Sequence, residues 1–455
     1  MISRTCEILV TADHHEQIMA HLFPGDGDEY GAILRAGIVR SSPTLRLLVQ
    51  NVRPAKYGTD YVAGQYGYRA LTPTFIHSEI TRCRDLGLAY LAIHSHGSDQ
   101  HVRFSEIDVA SHERGYPALL DIGRGVPVGA LVYGSRAVEA DIWMPDGARL
   151  SLGTYKVIGP NITRLYSQPQ HSPMFDTEHD RQIRMFGAAG QHILRRSKVA
   201  IVGLGGVGSL IVEYLARLGV GTILMIDPDA VESSNLSRVV GATPLDVEME
   251  LLKSQIAVRH ARELASDATL EPIPHDVATG SVAKVLRDCD FIFLAADSMR
   301  ARLVVNALAH QYLIPTVQVG TKIRPDADGN LQDAMCAVRH IRPGTGCLWC
   351  NGFIDPTQLA IEAKSDAERK AQAYGVQEAN PSVITMNAVA AAYAVNDFLF
   401  DFLDLRTGDA QPAFHHFHFL TGESQRTIPR RDPNCPECSH RLAMGEAVEL
   451  PVLDI

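Results

Sequence analysis

The chain has 455 residues, of which 46% are hydrophobic, and carries a formal net charge of −10. That length supports more than one hydrophobic core, and the acidic balance excludes a broad nucleic-acid-binding surface. The longest apolar stretch, Val199 to Ile226, is broken by glycines, Glu213 and Arg217, which excludes a membrane span.

From the N-terminus, AILRAGIV (residues 32–39) reads as a strand and is preceded by Glu29. In LAYLAIHSHGSDQHVRFSEID, His94 and His96 stand two apart at the end of an apolar strand, so both rings leave the same face and can share one metal. Asp108 follows after a loop. Two imidazoles and a carboxylate make a three-ligand zinc set with one position open for water, a hydrolytic rather than a structural arrangement. Glu29 is the candidate base, although its neighbours Asp26 and Asp28 make a solvated hairpin carboxylate an equal reading. His101 and His112 read as loop or surface residues, and His14-His15 and His415-His416 as exposed or packing pairs.

The order Glu29, His94-x-His96, Ser105-x-x-Asp108 resembles the JAMM metalloproteases, which cleave isopeptide or peptide bonds after ubiquitin-like modifiers. The resemblance covers roughly the first 150 residues. It implies zinc on His94, His96 and Asp108, water activation by Glu29 and oxyanion stabilisation by Ser105. Two features depart from the family pattern: the His96–Ser105 interval is one residue longer than usual, and Gly97 stands where proline is common.

The polar, proline-bearing stretch YSQPQHSPMFDTEHD marks a linker at 166–180. Beyond it, Val199 to Gly203 reads as a short buried parallel strand. Gly203, Gly205, Gly206 and Gly208 let the backbone turn and bring its N–H groups, with the start of a helix over 209–218, close to a phosphate. Asp227 ends the next strand, where a dinucleotide site would also place a carboxylate on ribose. Asn235, Arg238 and Lys253 separate the two possibilities, because a site that steers ATP phosphates uses such a polar series and a hydride-transfer site does not. Asp297, after the apolar strand DFIFLAAD, offers a hard oxygen ligand for Mg2+.

These residues resemble the adenylation domain of the ubiquitin-activating-enzyme superfamily, over about Arg181 to Cys438. Arg181-Gln182, GLGGVG, Asp227-x-Asp229, and Ser234-Asn235-Leu236 with Arg238 carry the resemblance. It implies Asp227 on the ATP ribose, Asn235, Arg238 and Lys253 on phosphates, Mg2+ on Asp297, and Arg181 reaching the phosphates of a neighbouring protomer in a homodimer. Val239 replaces the family's usual glutamine, and Lys253 lies slightly further downstream than usual.

Cys347-x-x-Cys350 and Cys435-x-x-Cys438 give four thiolates the reach for a closed, structural Zn2+ site. The alternatives are accidental pairs or disulfides, but eight cysteines in a large chain without a signal peptide fit a reducing cytoplasm. The segment KSDAERKAQAYGVQEANP, where many relatives carry a nucleophilic cysteine, has none; Ser365 and Tyr374 are weaker candidates there, and Cys336 is the nearby unpaired thiol.

The sequence is therefore expected to give an α/β protein: a smaller JAMM-like domain over 1–165, then a Rossmann-like adenylation domain with a mostly parallel sheet over 181–455. ATP and Mg2+ would activate the C-terminal carboxylate of a small ubiquitin-like or sulfur-carrier protein for a conjugating-enzyme-like partner. A modifier-processing zinc peptidase and a scaffold with an inactive JAMM-like domain are the alternatives.

Overall fold

The computed structural model describes residues 5–40, 44–63, 70–169, 177–265, 267–326, 328–363, 381–407 and 411–452. The chain divides into two compact units. The first comprises Met1–His171 with Gln311–Leu313 and Arg441–Glu449; the second comprises Ser172–His310, Ile314–His440 and Leu450–Ile455.

In the first unit the strands are β1 (Thr5–Thr11), β2 (Gly31–Arg40), β3 (Leu45–Pro54), β4 (Ala89–Ser95), β5 (Val128–Tyr133), β6 (Val138–Trp143), β7 (Arg149–Ile158) and β8 (Ile162–Leu165). Their order is β1-β3-β2-β4-β5-β6-β7-β8, and β1 also pairs with β7, so the sheet closes on itself. Closure buries β2 and β5 almost completely, which accounts for the apolar character of AILRAGIV on both faces, interrupted only by Arg35, which pairs with Glu79. Helices α1 (Ala12–Leu22), α2 (Pro73–Leu86) and α3 (Glu106–Gly123) supply the remaining apolar surface through Ile18, Ile80 and Tyr116. Ser105 caps α3: its side chain accepts from the Asp108 N–H while Asp108 accepts from the Ser105 N–H, a reciprocal capping box.

The second unit begins with α4 (Asp180–Arg196), β9 (Lys198–Val202), α5 (Gly206–Leu218), β10 (Thr222–Ile226), α6 (Pro244–Glu248), α7 (Lys253–Leu264) and β11 (Thr269–Ile273). It continues through α8 (Gly280–Val285), β12 (Phe291–Leu294), α9 (Met299–Gln311), β13 (Thr316–Pro325), β14 (Leu331–Ile341), α10 (Pro356–Glu362), α11 (Ile384–Phe402), β15 (Phe414–His418) and β16 (Glu423–Thr427). The sheet order is β11-β10-β9-β12-β13-β14-β15-β16. Pairing is parallel from β11 to β13 and antiparallel from β13 to β16. The sheet is thus mixed, and the parallel expectation holds for its first five strands. The change of direction has a local cause: the Asp326 carboxylate accepts from the Asn330 N–H, closing a turn too short for the crossover that a parallel strand needs.

β9 and β12 lie at the centre, buried along nearly their full length. Helix α11 packs against α5, β13 and β14, and its Phe398 meets Phe291 and Phe293 with ring centroids 4.8 and 5.7 Å apart. No helix among the described residues is long and apolar enough to cross a membrane. Because Phe398 is fully buried in this aromatic cluster, Phe398→Ala is expected to destabilise the second unit by about 3–5 kcal/mol, measured as a lowered midpoint in chemical denaturation.

Candidate functional site

The C-terminal ends of β9, β10 and β12 open onto a cleft of about 1110 Å³ in the second unit. Gly203, which follows β9, has φ 93°, and a Cβ there would meet the Ala296 nitrogen at 2.6 Å. A Cβ on Gly208 would lie 1.8 Å from the Gly203 carbonyl oxygen. The two glycines therefore allow α5 to start directly on the turn, leaving backbone N–H groups at a helix N-terminus for a phosphate. Gly203, Gly205 and Gly206 line the cleft; Gly208 serves its packing.

Asp227 is buried beside the turn. Its carboxylate accepts from the N–H of Leu204 at 2.6 Å and of Asp229 at 2.9 Å. Lys253, the first residue of α7, donates to Asp229 at 2.8 Å and lies 3.9 Å from Asp227. Burial raises the Asp227 pKa, while Lys253 and the two N–H groups oppose that shift. Arg238 and Asp297 complete this side of the cleft. Asn235 is not among the lining residues: its side-chain Oδ1 accepts from the Glu232 N–H and its backbone carbonyl from the Arg238 N–H, shaping the turn that leads to Arg238. Arg181 lines a separate recess of about 420 Å³ with His179, Gln182 and Arg217.

Several lining residues were missed from sequence. Residues 318–325 of β13 line the cleft without a break, and Met335, Ala337 and Arg339 line it from β14, so this hairpin forms one wall. Arg302 from α9 and Phe353 complete that wall.

The four hook cysteines are buried, with their sulfurs within 4.8 Å of one another. Cys347 and Cys435 are 3.8 Å apart and Cys350 and Cys438 3.6 Å. These distances exclude disulfides and match the edge of about 3.8 Å that a tetrahedron with Zn–S bonds of about 2.3 Å requires. Cys336 is also buried, and burial pushes its thiol up to about 11, far from a reactive thiolate. Ser365 and Tyr374 lie outside the described residues.

A second donor set lies in the first unit. His94 is the penultimate residue of β4 and His96 follows the strand; their Nε2 atoms are 3.2 Å apart and lie 3.6 and 3.5 Å from the Asp108 oxygens. Zn–N bonds of about 2.0–2.1 Å imply tetrahedral edges of about 3.3 Å, so all three groups can meet one zinc ion. Burial pushes the Asp108 pKa up, but His94, His96 and Ser105 outweigh it and hold the carboxyl well below the usual range. Hydrogen bonding to Asp108 raises the His96 pKa against its burial, and the charge of Glu29 adds to the rise. Glu29 is drawn to this site because β2 pairs Gly31 with His94, while the Tyr30 N–H donates to Ser95. The Ser105 hydroxyl donates to Asp108 at 2.7 Å and is thus engaged in the helix cap. His112, expected at the surface, is instead buried and bonded to Asp141 at 2.8 Å, because its place on α3 faces the core.

The family model for ThiF proteins matches residues 179–437, more than half of the chain. The chain belongs to the ThiF family. Among curated relatives of this ThiF-family chain, the Bacillus subtilis sulfur carrier protein ThiS adenylyltransferase is 36% identical over 129 residues, covering 28% of this chain and 38% of its own. The SAMP-activating enzyme E1 of Haloferax volcanii is 34% identical over 131 residues, 29% and 48% of the two chains. The Thermus thermophilus sulfur carrier protein adenylyltransferase is 28% identical over 272 residues, 58% of this chain and 90% of its own. The chain therefore spans less than half the length of the first two relatives.

The thiolate cluster is open to a direct test in this ThiF-family protein. Cys435→Ser is expected to remove one zinc per chain and lower the melting temperature, since metal affinity at a closed thiolate site is coupled to folding. Metal analysis by mass spectrometry on wild type and variant reads the difference.

Proposed function

We propose that the second unit is an ATP-dependent adenylyltransferase acting on the C-terminal carboxylate of a small ubiquitin-like or sulfur-carrier protein. The observation carrying this reading is the convergence of Asp227, Asp229, Arg238, Lys253 and Asp297 around the glycine turn in one cleft. Family membership and the adenylyltransferase relatives support it.

In this reading the substrate carboxylate attacks the α-phosphorus of ATP, forming an acyl-adenylate and releasing pyrophosphate. Asp227 accepts from ribose hydroxyls, the N–H groups of the glycine turn bind phosphate oxygens, and Arg238 and Lys253 stabilise the charge that grows on the departing pyrophosphate. Asp229 releases Lys253 when phosphate replaces it as the stronger anionic partner. Asp297 would hold Mg2+, which neutralises phosphate charge when bound. Asn235 contributes through the turn it shapes, and Arg181 would reach the nucleotide of a second copy in a homodimer. With every described thiol outside the four-cysteine cluster buried, the acyl group would pass directly to a conjugating-enzyme-like partner. Arg238→Ala and Asp297→Ala are each expected to abolish substrate-dependent ATP–pyrophosphate exchange with the fold retained; exchange persisting in both variants would refute the assignment.

The first unit supports a second reading, a JAMM-like peptidase over 1–165 that trims or removes the same modifier. Its basis is the meeting of His94, His96 and Asp108 at zinc-ligand spacing. Zinc held there supplies Lewis-acid activation of water. Glu29 takes up and returns the proton, and Ser105 orients Asp108 through the helix cap. Glu29→Gln is expected to keep zinc but lose cleavage of a modifier fusion, whereas His96→Ala loses both. Metal content and gel-based cleavage separate these outcomes, and absence of metal from the wild-type site favours a scaffold.

A further inference from the structure

The cleft contains two guanidinium groups that no carboxylate contacts directly, although the charges of Asp297 and Glu362 act on one of them, Arg302. Elsewhere, inward-facing arginines meet carboxylates: Arg35 pairs with Glu79 at 3.2 Å, Arg46 with Glu7 at 2.7 Å, and Arg342 with Asp401. Arg339 differs. Its Nη1 donates to the neutral Gln318 carbonyl at 2.6 Å, and its Nη2 lies 3.1 Å from His416 Nε2. Its Nε is buried without a partner. Burial, with Arg339 adjacent, lowers the His416 pKa to about 4, so at neutral pH the ring is an uncharged acceptor. The guanidinium carbon stands 4.1 Å from the Phe353 ring centroid, which orients the fork without cancelling its charge.

Arg302 lies on the same wall. Its Nη1 donates to the Phe353 carbonyl at 3.0 Å, and its Nε is likewise buried and unpartnered. Among the described residues neither guanidinium forms an ion pair, and each carries a positive charge in a partly dry environment. Burial lowers the Arg339 pKa to about 10, and repulsion from Arg302 adds to the shift. Asp297 and Glu362 offset part of the Arg302 charge, whereas Arg339 feels only burial and its like-charged neighbour, a cost that an incoming anion would relieve.

The nucleotide is poorly placed to be that anion. β14 lies three strand spacings from β9, across β12 and β13, or about 14 Å. The phosphate-binding turn follows β9 and already has Arg238 and Lys253. Two residues along the hairpin from the Gln318–Arg339 pair, the small residues Gly320 and Ala337 line the cleft and pair in register, leaving room for an extended chain.

We infer that Arg339, assisted by Arg302, is a specificity-determining anion subsite that reads an acidic side chain in the C-terminal tail of the acyl substrate. This rests on the adenylation reading. Phe353 fixes the plane of the fork, Gln318 and His416 hold its outer N–H groups, and an incoming carboxylate completes the missing ion pair.

The test uses the full chain, a nonhydrolysable ATP analogue and fluorescein-labelled hexapeptides ending in glycine, with a single Glu scanned along the tail and Gln twins of each. Fluorescence anisotropy is expected to show one Glu position binding about tenfold or more tighter than its Gln twin, as a charge-assisted hydrogen bond provides. Arg339→Gln should remove that preference and leave affinity for the ATP analogue unchanged, while Arg339→Lys keeps part of it. Equal affinities within every Glu/Gln pair, or no peptide binding to wild type, overturn the subsite. Lost ATP-analogue affinity in a variant with a wild-type melting curve overturns it too, by assigning Arg339 to nucleotide phosphate. If the melting curve shows that Arg339→Gln fails to fold, the wild-type Glu/Gln ratio decides. Failure of the adenylation reading is distinct, since it appears as absent ATP–pyrophosphate exchange with any substrate.

Discussion

The Asp227 carboxylate is withdrawn from water and accepts from the N–H of Leu204 on one side and of Asp229 on the other, so one anion ties the glycine turn to the end of β10. A buried charge is tolerated only where donors satisfy it, and here those donors belong to the backbone that must be shaped. Lys253 then sits where it does because Asp229 and Asp227 attract it. The position of α7 and the shape of this edge of the cleft both follow from satisfying this carboxylate. Its raised pKa records the cost, and added donors such as ribose hydroxyls would lower it.

Much of this edge was legible in the sequence because each feature is local. The apolar run before Gly203 and the spacing to Asp227 are fixed by residues within one βαβ unit, and Lys253 lies on a helix soon after it. The cysteine hooks were legible for a different reason: two C-x2-C pairs bring four sulfurs together only if the chain returns, and sulfur separations of 3.6 and 3.8 Å are what that return gives. His94 and His96 were legible as a His-x-His pair at a strand's end and Asp108 as the carboxylate after the following loop, but the helix whose first turn carries Asp108 was not.

What escaped reading depends on pairing between distant segments. Arg339 enters the cleft because β14 pairs with β13 in one register, and a one-residue slip would turn it to the other face. The closure of β1 onto β7 joins segments some 140 residues apart by sequence and has no local signature. His112 reads as polar and exposed on its own, yet Asp141, which satisfies it, comes from a strand formed later in the chain.

The edges of the second sheet carry a consequence for how copies of the chain meet. Edge strand β16 is exposed along its whole length and reads Glu-Ser-Gln-Arg-Thr, while the opposite edge strand, β11, contains Glu271 and Pro272. A proline has no N–H to offer a further strand, and charged, hydrated side chains oppose stacking into a continuous ribbon. Both edge strands of the second sheet therefore carry features that disfavour templated growth by a further strand.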